Sequence, residues 1–136
     1  MLRFPLVLLA LALAGCDSAA PVEGRLVVSL FGEAPPTLRI ETEERYPCIG
    51  YALRVDAEAD SEGLRAEVEG VDEPSSACLD ASGPATWTFA LPADAQIQEY
   101  AVEIVLGGQT DRYVVRSGIA GTSLVPVRTT FSRPQS

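Results

Sequence analysis

Between Leu53 and Glu69 apolar and polar residues alternate on either side of Asp60-Ser61-Glu62-Gly63, and this alternation limits the fold more than any other feature of the chain. A period of two is the period of a strand, and a short polar segment with glycine between two such runs is a turn. If the turn is placed there, Ala59 opposes Leu64, Glu58 opposes Arg65, Ala57 opposes Ala66, Asp56 opposes Glu67, Val55 opposes Val68 and Arg54 opposes Glu69. Leu53, Val55 and Ala57 then share one buried face with Leu64, Ala66 and Val68. The other face carries Arg54–Glu69 and Glu58–Arg65 pairs flanking the Asp56–Glu67 carboxylates. A slip of one residue would turn every apolar side chain to water, so the pattern specifies its own register.

The same period recurs along the chain. Arg25 to Phe31 is a β-rich run, and Leu38 to Glu43 alternates after Pro35-Pro36. Ala85, Trp87, Phe89 and Leu91 share one face of a further strand, and Tyr100, Val102, Ile104 and Leu106 share one face of the next. Gly107-Gly108 turns the chain, Arg112 to Arg116 returns antiparallel, and Leu124 to Phe131 forms a last strand in which Pro126 implies a bulge or an edge position. No stretch has the 3.6-residue period of an amphipathic helix. The expected fold is all-β, a single antiparallel β-sandwich of about seven to eight strands, with barrel closure as the competing arrangement.

A different pattern occupies the beginning. Residues 4–14 are apolar, too few to cross a bilayer core of about 30 Å, and suited to a removable leader. The leader closes on Leu13-Ala14-Gly15-Cys16 and has Arg3 in its first positions. These residues resemble the lipobox of bacterial lipoproteins. The resemblance implies a lipoprotein signal peptide over 1–15, a diacylglycerol thioether on Cys16, and a mature chain that is anchored to a membrane rather than spanning it. Residues 16–24 are then a lipid-anchored tether reaching about 25–30 Å when extended, and 25–133 are the β-sandwich domain. The expected location is the bacterial cell envelope, facing the periplasm or the surface.

Three cysteines fit that compartment. With Cys16 taken by the lipobox, Cys48 and Cys78 remain as a pair in an oxidising space, and a disulfide is expected between them. In the chain-entropy picture a loop of about 30 residues closed in this way adds roughly 3–4 kcal/mol of stability. A redox or metal-binding thiol pair would call for Cys-x-x-Cys spacing or histidine, and neither occurs.

The chain contains no histidine and no lysine, so the usual general base for a serine or cysteine nucleophile and the amine for a Schiff base are both missing. Loss of the leader removes Arg3 and no acid, which takes the formal charge from −9 to −10. Nucleic acid and anionic lipid surfaces are therefore poor partners. Carboxylates at Asp56, Glu58, Asp60 and Glu67 have some of the spacing of a calcium loop. Ser61 stands where such a loop needs glycine, however, and the hairpin accounts for the same residues without a metal. Neither a metal nor any other cofactor is expected. Trp87 alternates with Phe89 and Leu91 as a core residue does, and Tyr100 is expected to be structural. Tyr46, Tyr51 and Tyr113 are left unassigned, and Arg112 with Arg116 offers a recognition face.

Pro92-Ala93-Asp94-Ala95 followed by Glu99-Tyr100-Ala101-Val102-Glu103-Ile104 resembles the entry to the penultimate strand of immunoglobulin-like and fibronectin-type-III-like domains, where a corner tyrosine precedes the strand. The resemblance implies a sandwich and carries no function with it. Cys48 and Cys78 do not bracket Trp87 as the cysteines of antibody domains bracket theirs, so this bridge joins different places. The function expected is a non-catalytic structural or protein-interaction module, anchored through Cys16 and facing an envelope protein partner. The alternative is a small-ligand or carbohydrate-binding module, which exposed aromatics or a groove beside Trp87 would favour.

Overall fold

The computed structural model describes residues 18–33, 35–75, 78–93 and 99–136, and among them the chain is all-β with no α-helix. The leader 1–15, Cys16 and the Asp94-Ala95 part of the immunoglobulin-like resemblance lie outside the described residues. The strands are β1 (Leu26–Phe31), β2 (Thr37–Thr42), β3 (Ala52–Ala59), β4 (Gly63–Asp72), β5 (Thr86–Ala90), β6 (Tyr100–Leu106), β7 (Gln109–Gly118), β8 (Gly121–Arg128) and β9 (Ser132–Pro134). They form one nine-stranded sheet in the order β8-β7-β6-β4-β3-β5-β2-β1-β9. β8 lies against β9 and β1, so the sheet nearly closes into a barrel.

This differs from a purely antiparallel sandwich of seven or eight strands. Three pairings are parallel: β1 with β9, β3 with β5, and β4 with β6. The parallel β4–β6 pair is possible because the chain between them is long enough to cross over and contribute β5 on the way. β9 was not evident from its residues. It is a short strand held by Leu26 N–H donating to Phe131 O at 3.1 Å and Gln135 N–H donating to Val28 O at 2.9 Å.

The β3–β4 hairpin follows the expected register from Ala59↔Leu64 to Val55↔Val68 and then departs from it. Arg54 pairs with Gly70, which leaves Glu69 as the extra residue of a bulge. Arg54 therefore meets Asp72 instead of Glu69. Its Nε donates to Oδ2 at 3.1 Å and its Nη2 to Oδ1 at 2.6 Å, in a bidentate pair. Arg65 turns from Glu58 to Glu103 on β6 at 3.4 Å. Ala57, expected inside, is exposed. β3 pairs with β5 at Ala52↔Thr86, and among the described residues no strand pairs with the far half of this edge.

Elsewhere the core largely follows the alternation, although Val27 of β1 and Val105 of β6, on the opposite parity, are buried as well. Leu64, Ala66 and Val68 of β4 are buried together with Val102 and Ile104 of β6 and Tyr113 and Val115 of β7. Leu26 and Val28 of β1 and Leu38 and Ile40 of β2 close the other side. Each buried Val, Leu or Ile among them contributes about 1.5–3 kcal/mol relative to exposure. Pro126 lies on β8 at the end of the sheet, and the register shift between Arg112 and Tyr113 falls opposite it. Val127 is the residue left over by that shift, and it is exposed.

One end of the sheet gathers the start of β3, the end of β4 and the Gly107-Gly108 turn. The other gathers the Asp60–Gly63 turn, the start of β6 and the β7–β8 turn. The chain joins the first of these ends early. Ala20 N–H donates to Val71 O at 3.0 Å and Val71 N–H donates to Ala20 O at 2.8 Å. This antiparallel bridge lies beyond the last β4–β6 pair, Val68↔Leu106. Val22 also packs against the core.

Candidate functional site

Cys48 and Cys78 form a disulfide, with Cα atoms 5.4 Å apart and a sequence separation of 30. Among the described residues the same two segments also meet through the isolated pairs Tyr46↔Gly83 and Ile49↔Leu79 and through Arg45, whose Nη2 donates to Ser82 O at 2.6 Å. Tyr46 N–H donates to Gly83 O at 2.7 Å, and Gly83 N–H returns a bond to Tyr46 O at 3.1 Å. Tyr46 stacks on Tyr51 with ring centroids 4.5 Å apart, and burial followed by the Glu44 charge raises its hydroxyl pKa. Cys48 is buried, whereas Ile49 and Leu79 are 51% and 67% exposed.

The acidic hairpin is organised by its own backbone. Asp60 Oδ1 accepts from Glu62 N–H at 2.8 Å and Gly63 N–H at 2.9 Å, an Asx turn, and these two bonds hold its pKa below the ordinary value. The Asp60 carbonyl accepts the Tyr100 hydroxyl at 3.1 Å. Asp56 and Glu67 lie opposite one another and Glu58 lies opposite Arg65, all on the exposed face. The hairpin thus brings Asp56 and Glu67 together, with Glu58 further along β3 and Asp60 beyond its end, and Asp60 directs an oxygen into the turn. Among the described residues no group of three or more His, Cys, Asp or Glu side chains is disposed to hold a metal ion. An open depression beside the turn is lined by Glu58, Asp60, Glu62, Arg65 and Glu103.

Trp87, expected in the core, is only partly buried. It packs against the core and stacks on Phe89, with centroids 5.8 Å apart and 18° between the planes. Since β3 and β5 meet at one residue pair, the sheet does not cover this side of β5. Tyr100 is buried as expected, and desolvation, with the Asp60 charge, raises its pKa. Arg112 donates to Glu103 at 3.1 Å and Arg116 to Glu99 at 2.8 Å, so the proposed recognition face is a surface ion-pair ladder. Exposed pairs of this kind are worth about 0–1 kcal/mol each.

Two features were missed in the sequence. Asp111 is fully buried, and its carboxylate accepts from Thr130 N–H at 2.7 Å, Phe131 N–H at 3.1 Å, Ser132 N–H at 2.8 Å and Ser132 Oγ at 2.6 Å. Tyr113 adds a 2.7 Å hydroxyl contact with Ser132, and burial raises its pKa. This network ties β7 to the entrance of β9. Its only sequence signal was an aspartate at an inward position of β7. The second feature is Gly70, where a Cβ would lie 2.5 Å from Ala20 O and 2.6 Å from Ala19 Cβ. Glycine there admits the docked Ala19-Ala20 segment.

No helix among the described residues is long and apolar enough to cross a membrane. No family model, curated protein or solved structure matches this chain.

Proposed function

We propose that this chain is a bacterial envelope lipoprotein, with residues 1–15 as its signal peptide and Cys16 as the acylated, palmitate-bearing anchor. The β-domain is a non-catalytic structural or protein-interaction module held at the membrane. The observation that carries this reading is Leu13-Ala14-Gly15-Cys16 at the end of an apolar leader. The Cys48–Cys78 disulfide supports it, because such bridges persist in oxidising compartments. A chain without histidine or lysine supports the non-catalytic role. Within this reading β9-β1-β2-β5 and β3-β4-β6-β7-β8 are the two layers of an immunoglobulin-like sandwich. They join at Ala52↔Thr86 and are drawn toward closure by β8 and β9.

The test is growth with an alkyne-tagged fatty acid. Label on the wild-type protein that is lost in Cys16→Ser supports the anchor, and equal label in both, or in neither, contradicts it. The partly open Trp87–Phe89 stack favours a second reading, a small-ligand or carbohydrate-binding module. Saturable quenching of Trp87 fluorescence by envelope glycans would support that reading, and no response across a glycan panel would count against it.

A further inference from the structure

We propose that the end of the domain bearing the Cys48–Cys78 bridge rests on the membrane, with Ile49 and Leu79 in contact with lipid. The proposal rests on Cys16 being acylated. Ala20 is bonded to Val71, and Ala19 packs where a Gly70 side chain would stand, so at most the three peptide units from Cys16 to Ala19 separate the lipid from the domain. Three peptide units reach at most about 11 Å. This is less than half the reach expected of a free tether, and it keeps the Val71 end of β4 against the bilayer surface.

The apolar pair lies at that same end. Ala20, Val71 and Leu53 stand side by side, because Val71 pairs with both. Two inter-strand steps of about 4.8 Å, and at most about 14 Å back along the chain from Leu53, reach Ile49. Leu79 is its bridge partner, and paired residues of an antiparallel bridge project to the same side. Both are more than half exposed, on a stapled segment that cannot fold away. The Asp60–Gly63 turn is the far end of β4, a strand of 10 residues, and so stands about 30 Å further out. Ile119, fully exposed in the β7–β8 turn, shares that far end. Exposed Glu44, Glu73 and Asp80 outnumber Arg45 near the apolar pair in the chain, so the favoured surface is zwitterionic rather than anionic.

The test uses the full acylated protein in phosphatidylcholine vesicles whose acyl chains are brominated near the headgroup. Tryptophan is placed by Leu79→Trp or Ile119→Trp in a Trp87→Phe background. Position 79 should lose about half its emission and position 119 almost none. Equal emission loss at both, or none at 79, overturns the orientation. Amide exchange on the unmutated protein provides a check independent of those substitutions: residues 46–51 and 78–83 should slow at least threefold on vesicles relative to the protein in detergent, with 117–121 unchanged. The reverse pattern also overturns the orientation. Acyl mass on the protein with either negative result sinks the orientation alone, whereas absence of acyl mass sinks both the anchor and the orientation.

Discussion

Asp111 lies fully buried on β7 with donors from Thr130, Phe131 and Ser132 converging on its carboxylate. Asp111→Ala leaves those donors without an acceptor, the Ser132 pair in a buried place and the Thr130 and Phe131 amides in a part-buried one. Each such loss costs about 1–3 kcal/mol, so urea denaturation should show a loss of at least about 3 kcal/mol. Asp60 makes the opposite kind of contribution, exposed and local. Its pKa is depressed by the Glu62 and Gly63 amides, so the stability it adds is present above the ordinary carboxylate value and is lost as pH falls through the lower folded value. Asp60→Asn keeps the turn but cannot titrate. The wild-type advantage over Asp60→Asn should therefore shrink as unfolding is followed from about pH 5 toward pH 2. An advantage that is constant over that range would contradict the assignment. The Asp60 turn was legible because turn chemistry is local. The Asp111 network was not, because its donors lie some twenty positions away and are mostly backbone groups without a sequence signature.

At the scale of elements, the alternation in β4 and in β6 as far as Ile104 was read correctly because one face of each is buried, and a period of two leaves no choice of register; beyond it Val105 is buried and Leu106 only partly so. The reading failed where neighbours decide burial. Ala57 has the right parity but is exposed on the half of β3 beyond its pair with β5, and Trp87 follows Thr86, the one residue of β5 that pairs with β3. The bulge at Glu69 moved Arg54 to Asp72, and bulges leave little trace in composition. Gly70 holds the early chain by having no side chain. Gly70→Val should displace Ala19-Ala20 and remove the two Ala20–Val71 hydrogen bonds, at about 1 kcal/mol each. Faster amide exchange at Ala20 and Val71 would register it, and unchanged exchange would show that the segment is held by other means. The Cys48–Cys78 staple is larger in effect. Cys48→Ser with Cys78→Ser should cost about 3–4 kcal/mol, read as a lower denaturation midpoint that reductant no longer shifts.

At the scale of the whole molecule, the chain is a nearly closed β-domain whose two ends differ. One end receives the incoming chain and carries the disulfide, and the other presents the acidic hairpin. The all-β class was evident in the sequence, because strand periodicity repeats and helical periodicity is absent. Barrel closure was legible only as the competing arrangement, since it depends on β9 and on the Asp111 network, neither of which has a local signal. We propose that lipid on Cys16 holds this domain to a membrane, and the decisive measurement is the intact mass of the mature protein from a bacterial envelope beside that of Cys16→Ser. The account predicts a wild-type chain that begins at Cys16, carries acyl mass and partitions into detergent, and a Cys16→Ser chain without that mass that stays out of the detergent phase. A wild-type chain without acyl mass that partitions into water would contradict it.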